Sequence, residues 1–149
     1  MKIKSLLVIN GPNMNMLGIR EPEIYGTNGY DFLVNAVTEF CKGKNIFVKC
    51  FQSNHEGSII DEIQAAYGVF DAIVINPAAY THTSIAIADA LRAVCIPACE
   101  VHISDVEARE DFRKISYCRD ACIATVSGMG INGYIEAVKI LLDYDKEGN

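Results

Sequence analysis

Residues 5–10 read Ser-Leu-Leu-Val-Ile-Asn and run straight into Gly11-Pro12-Asn13. A short apolar run closed by a Gly-Pro turn is what a strand buried on both faces looks like. Residues 46–51, 72–76, 98–103 and 122–126 repeat the pattern. Between the runs the apolar period changes from continuous to helical. Leu33, Ala36, Val37 and Phe40 recur at i, i+3, i+4 and i+7, and Ile59, Ile63, Ala66 and Tyr67 form a second such stripe. Residues 85–94 and 107–115 are the next helix candidates, and Tyr134, Val138, Leu141 and Leu142 mark the last. Gly43, Gly57, Gly68, Pro77 and Pro97 punctuate the boundaries.

Five strands alternating with five helices predict a doubly wound α/β domain, a five-stranded parallel sheet with helices on both faces. The expected strand order is the flavodoxin-like 2-1-3-4-5. The 149 residues suit one domain spanning 1–149, with no repeat or linker. A chain of this size buries roughly 68–70% of its unfolded surface, enough for a core without crosslinks.

Composition narrows the function. Half of the residues are hydrophobic and 21% are charged, which is globular rather than disordered. Thirteen basic against nineteen acidic side chains leave a net charge of −6, and no basic stripe of the kind nucleic acid requires is present. No run of 18 apolar residues suggests a membrane span. The first ten residues are too short in apolar length and lack a small-residue cleavage site, so they read as a strand rather than a signal peptide. Cys41, Cys50, Cys95, Cys99, Cys118 and Cys122 form no C-x-x-C pair and mostly sit in apolar runs, as reduced thiols of a cytoplasmic protein would.

In open parallel sheets ligands bind beyond the carboxyl ends of the strands. Those ends carry Asn10-Gly11-Pro12-Asn13, Ser53-Asn54-His55-Glu56, Asn76 through Thr83, Glu100-Val101-His102-Ile103-Ser104, and Ser127-Gly128-Met129-Gly130. All three histidines, His55, His82 and His102, fall at this edge. Glu100 and His102 are two apart on a strand and share a side; a carboxylate beside an imidazole suits a general acid. Arg20 and Tyr25 lie in the long non-periodic stretch after the first strand. A phenol is a poor base at neutral pH unless a neighbouring cation favours the phenolate. Asn13, Asn54, Asn76, Thr81, Thr83 and Ser104 supply neutral donors and acceptors suited to a polyhydroxylated ligand. Residues 128–133 satisfy G-x-G-x-x-G, but they follow the last strand with no later strand to hold a ribose, so the motif reads as a tight turn rather than a dinucleotide site.

These segments resemble the type II 3-dehydroquinate dehydratases: VINGPNMNMLGIREPEIYG at 8–26, FQSNHEG at 51–57, INPAAYTHTSIAIADAL at 75–91, EVHISDVEAREDFRKISY at 100–117 and SGMGINGYIEA at 127–137. The resemblance covers most of the chain in the family's order. It implies a flavodoxin-like fold, no cofactor or metal, and a homododecamer built as a tetramer of trimers. The implied reaction is loss of water from 3-dehydroquinate to give 3-dehydroshikimate through an enolate. Residue by residue, it implies Tyr25 as the base, Arg20 as the group that keeps it ionised, and Asn13 as the holder of an enolate-stabilising water. His102, oriented by Glu100 and near Asn76, would protonate the departing hydroxyl. The amides of Ile103 and Ser104 would hold the substrate carboxylate, and His82 and Arg113 would bind ring hydroxyls. Arg109 would belong to a closing segment, and Asp89 would reach a neighbouring subunit's site. The chain departs from the family pattern at Ala88, where arginine is frequent, at Pro77, where glycine is usual, and at residues 27–30 and 117–122. None of these removes a proposed catalytic group. The lysines, Lys2, Lys4, Lys42, Lys44, Lys49, Lys114, Lys139 and Lys146, all lie away from the carboxyl strand ends, which disfavours Schiff-base chemistry. The other class of reading is a catalytically silent small-ligand-binding module of the same fold.

Overall fold

A computed structural model describes residues 2–19, 23 and 28–148. The strands are β1 (Ser5–Asn10), β2 (Phe47–Gln52), β3 (Ala72–Asn76), β4 (Ala98–His102) and β5 (Ala124–Ser127). They form one parallel sheet in the order β2-β1-β3-β4-β5. Four α-helices occur among the described residues: α1 (Tyr30–Gly43), α2 (Glu56–Ala65), α3 (Ile85–Val94) and α4 (Asn132–Lys146).

Side-chain alternation along the central strands divides the interior into two layers. Leu6, Val8, Ala72, Val74, Cys99 and Val101 face one way and pack with Leu33, Val37 and Cys41 of α1 and with Tyr134, Ala137, Val138 and Leu141 of α4. Leu7, Ile9, Ile73, Ile75 and Ala98 face the other way and meet Ile59 and Ile63 of α2 and Ile87, Ala90, Leu91 and Val94 of α3. This two-sided burial is why the inner strands carry no polar alternation in sequence. Helix α3 starts on Ser84, whose hydroxyl accepts the Ile87 N–H at 3.0 Å and satisfies one of the four orphan donors of the first turn.

Two expectations fail locally. Residues 107–115 do not form an α-helix; the chain makes two short 3-10 turns there, Val106–Ala108 and Asp111–Lys114, separated by extended backbone at Arg109 and Glu110. A helix of this length depends on an apolar face with something to cover it. Here Phe112 and Ile115 are more than half exposed, so the helical spacing of Ala108, Phe112 and Ile115 has no core to meet. The second failure is at Tyr67, read as part of the α2 stripe; it lies beyond the end of α2 and is 72% exposed. Strand edges move by one or two residues, with Cys122 in the approach to β5 rather than inside it.

Candidate active site

The carboxyl ends of β1, β3 and β4 converge on a pocket. Pro12, Asn13 and Met14 line it from the β1 side, Asn76, Ala78, Ala79 and His82 from the β3 side, and His102, Ile103, Ser104 and Val106 from the β4 side; Arg109 and Arg113 close the rim. Eight of the twelve predicted site residues are therefore brought together: Asn13, Asn76, His82, His102, Ile103, Ser104, Arg109 and Arg113. Glu100 stands behind His102. Asp89 points away on the exposed face of α3, where it pairs with Arg92 at 3.5 Å. Arg20 and Tyr25 lie outside the described residues. His55 sits exposed at the start of α2 and does not line the pocket, so two of the three histidines belong to it.

The β1 and β3 turns lie against each other. The Gly11 N–H donates to the Asn76 carbonyl at 2.8 Å, and a β-carbon on Gly11 would be driven into the Pro77 carbonyl, so only glycine permits this approach. Pro77 occupies an ordinary helical conformation (φ −70°) and Ala78 takes the left-handed one (φ 53°). The Asn76 side-chain oxygen accepts the Ala78 N–H at 3.0 Å and holds that turn. The other Asn76 polar atom, the amide nitrogen, donates to the Tyr134 hydroxyl at 2.9 Å; that hydroxyl donates in turn to Asn10 Oδ1 at 2.5 Å. Tyr134 is fully buried, so α4 reaches through the core to pin two strand ends.

Glu100 has no solvent exposure, and its carboxylate is surrounded by donors. His102 Nε2–H donates to Oε1 at 2.6 Å, the Ser116 hydroxyl at 2.7 Å and the Thr81 hydroxyl at 3.4 Å; the Thr125 hydroxyl reaches Oε2 at 3.2 Å. Burial pushes the Glu100 carboxyl up, but the His102 bond and charge and the Ser116 and Thr125 hydroxyls outweigh it and hold the group below the usual glutamate range. The carboxylate thus fixes one imidazole nitrogen of His102 and leaves Nδ1 as the nitrogen with a free role in a ring that is 5% exposed.

His82 is arranged differently. Its Nδ1 lies 2.7 Å from the Ile115 carbonyl, which can only accept, so Nδ1 carries the proton and Nε2 is left as an acceptor. Burial lowers the His82 pKa, opposed by the Ile115 carbonyl and reinforced by the charges of His102 and Arg113. Glu110 bridges the two rim arginines, at 2.8 Å from Arg113 Nε and 3.9 Å from Arg109 Nε. Both guanidinium groups are largely buried. The pocket therefore offers concentrated positive charge and peptide N–H groups in a chain that is acidic as a whole, a setting for an anion bearing hydroxyls.

Sequence reading found Glu100, His102 and Thr81 at the strand ends but not the Ser116 and Thr125 hydroxyls that also hold Glu100. Ser116 comes from the connection after the 3-10 turns, which no periodicity flags. Thr125 was accessible in principle: in the β4–β5 register it lies opposite Glu100. Asn54 and Thr83, read as ligand-facing, do not line the pocket; Asn54 Oδ1 accepts the Asn13 N–H at 2.9 Å and shapes the β1 turn instead.

Residues 4–142 match the family model for class II dehydroquinases. The chain belongs to that family. It is 52% identical over 142 residues to a 3-dehydroquinate dehydratase of Fusobacterium nucleatum, covering 93% of this chain and 97% of the relative. It is likewise 52% identical over 135 residues to a catabolic 3-dehydroquinase of Talaromyces marneffei, covering 91% of this chain and 77% of that one. The crystal structure of a type II dehydroquinase from Butyrivibrio crossotus superposes with a TM-score of 0.92 at 56% identity, over 93% of this chain and 97% of the other. Among the described residues of this class II dehydroquinase chain, no group of three or more His, Cys, Asp or Glu side chains is placed to hold a metal ion, and no helix is long and apolar enough to cross a membrane.

Proposed function

We propose that this chain dehydrates 3-dehydroquinate to 3-dehydroshikimate. Tyr25, kept ionised by Arg20, takes a proton alpha to the ketone. The resulting enolate is stabilised through a water held by Asn13. His102 then gives a proton to the departing C1 hydroxyl, which leaves as water, while Glu100 holds the imidazole in orientation and Asn76 stands beside it. The Ile103 and Ser104 amides bind the carboxylate, His82 and Arg113 bind ring hydroxyls, and Arg109 helps to close the rim. The observation that carries this reading is the buried Glu100–His102 pair opening onto the arginine-rimmed strand-end pocket. Elimination from a β-hydroxyketone needs a base, an enolate stabiliser and an acid held around one ring, and this inventory contains them without Lewis-acid help.

The rest of the proposal follows the family. Residues 1–149 act as one domain in the cytoplasm, without a cofactor, in the shikimate or quinate pathway. The chains assemble as a dodecamer, a tetramer of trimers, in which Asp89 reaches a neighbour's site. The deciding experiment mixes purified protein with 3-dehydroquinate and follows the ultraviolet absorbance of the conjugated enone. A catalytic rise that survives borohydride treatment in the presence of substrate is expected. A folded protein that gives no rise would end the proposal. Tyr25→Phe should lose turnover while retaining most of its ligand affinity, since the base acts in the transition state and not in binding.

A further inference from the structure

The glycines at 128 and 130, unexplained by any dinucleotide role, are accounted for by what they touch. The turn that follows β5 lies against the segment that leaves β4, and three consecutive carbonyls of that segment find their donors in it. The His102 carbonyl accepts the Gly128 N–H at 3.3 Å, the Ile103 carbonyl accepts the Gly130 N–H at 3.1 Å, and the Ser104 carbonyl accepts the Ser127 hydroxyl at 3.1 Å. Every peptide bond described is trans, and in a trans peptide the C=O and the next residue's N–H point in opposite directions. With the 102 and 103 carbonyls held on the turn, the Ile103 and Ser104 N–H groups point away from it, and both residues line the pocket. Residues 103 and 104 are both bends rather than strand, so these N–H groups stand on one side instead of alternating. Successive amides on one side make an anion-binding concavity.

The turn reaches this geometry because Gly128 (φ 78°) and Gly130 (φ 60°) adopt left-handed backbone. The two positions differ in space. A β-carbon at 128 would stand 3.3 Å from Asp105 Cβ, whereas at 130 nothing lies within 4 Å. Position 130 therefore isolates the backbone requirement from crowding.

We propose that Ser127, Gly128 and Gly130 are positioning residues for carboxylate recognition: the turn draws the 102–104 carbonyls to one side so that two peptide N–H groups converge on the substrate's carboxylate. This rests on the reading of the pocket as a site for an anionic ring acid. The test compares the wild type with Gly130→Ala, Gly130→Asn and Ser127→Ala. It measures kcat and KM for 3-dehydroquinate, and the affinities of quinate and of its neutral carboxamide. Alanine resists left-handed backbone and asparagine tolerates it. Gly130→Ala should raise KM, and the Kd of quinate, by about tenfold, the scale of a weakened hydrogen bond to a charged group. It should change kcat little and weaken the carboxamide, whose carbonyl accepts only neutral hydrogen bonds, much less than the acid. Gly130→Asn should recover most of the loss, and Ser127→Ala should shift in the same direction as Gly130→Ala, to a smaller extent. Equal weakening of acid and carboxamide, or a fall in kcat at constant KM, would overturn the role. A wild type that fails to dehydrate 3-dehydroquinate but loses its preference for the acid in Gly130→Ala would sink the reaction and leave the turn's role standing.

Discussion

Glu100 is a charged group with no contact with water, and such a group persists only where donors replace its hydration. Four side chains do so here, from four different parts of the chain. Glu100→Gln keeps the shape but turns two lone-pair sites toward hydroxyl donors into an NH₂ group. It should cost stability as well as turnover, read by urea denaturation beside the enone assay. His102→Ala should lower kcat by about 10²–10⁴-fold, the usual range for a positioned acid, with a much smaller change in ligand affinity. Tyr134 acts by position alone. Tyr134→Phe leaves Asn10 and Asn76 each short of a partner in the core, and a loss of about 1–3 kcal/mol is expected from the denaturation midpoint at unchanged slope. Neither Asn10 nor Tyr134 is recognisable in sequence as a partner of the site. They are 124 residues apart and read separately as the last residue of the first strand and a helix core residue.

Among the elements, the ones that read well in sequence are those whose period is enforced by a core. Helix α3 begins and ends where its apolar stripe and Ser84 cap place it, and Ser84→Ala should cost about 1 kcal/mol in thermal or denaturant unfolding. The segment at 106–114 carries helical spacing without a surface to bury it, and its arginines turn to the pocket rim instead. Local pattern misleads there because helix formation from a short segment depends on tertiary cover. At this scale the glycine turn after β5 shows the converse. The G-x-G-x-x-G match at 128–133, which its place after the last strand already marks as a tight turn, is a donor set for neighbouring carbonyls.

For the whole molecule, pH links the site to stability. Glu100, His82 and Asp71 all have folded pKa values below their unfolded ones; for Asp71, just before β3, burial is outweighed by the Lys4 and Ser5 N–H groups and the Ser5 hydroxyl, which donate to its carboxylate. Each therefore contributes stability that is complete above its unfolded value and is lost as pH falls, first below about 6.5 for His82 and then through the carboxylate range. The buried and half-buried thiols act at the other end. Burial pushes Cys41 and Cys50 up to about 11 and Cys99 and Cys118 up to about 12. Unfolded thiols ionise at lower pH than folded ones, so stability present below the unfolded value of 9.0 should decline above it. A dome-shaped pH dependence of the melting temperature checks both ends; a flat acid limb would contradict the Glu100 and His82 assignments. Native protein should also show one fast-reacting thiol, Cys95, the only exposed cysteine of six, and all six after denaturation. Turnover should be unchanged by a metal chelator, and activity lost on chelation and restored by added metal would contradict the cofactor-free mechanism.

The apolar runs and helical stripes determined the α/β class by themselves, because a parallel sheet buried on both faces must write its core into nearly continuous hydrophobic sequence; periodicity does not encode the strand order, which was expected from the fold type and is established by the sheet itself. The edge at which chemistry gathers followed from the same pattern, and with it Glu100, His102 and most of the pocket wall. Only the tertiary structure decided what stands between those residues: the Ser116 and Thr125 hydroxyls on Glu100, the Tyr134 hydroxyl between Asn10 and Asn76, and the glycine turn behind Ile103 and Ser104. The reason is physical. Periodicity reports which residues leave water, whereas hydrogen-bond partners are chosen by proximity between segments far apart in the chain, and that proximity exists only once the core has formed.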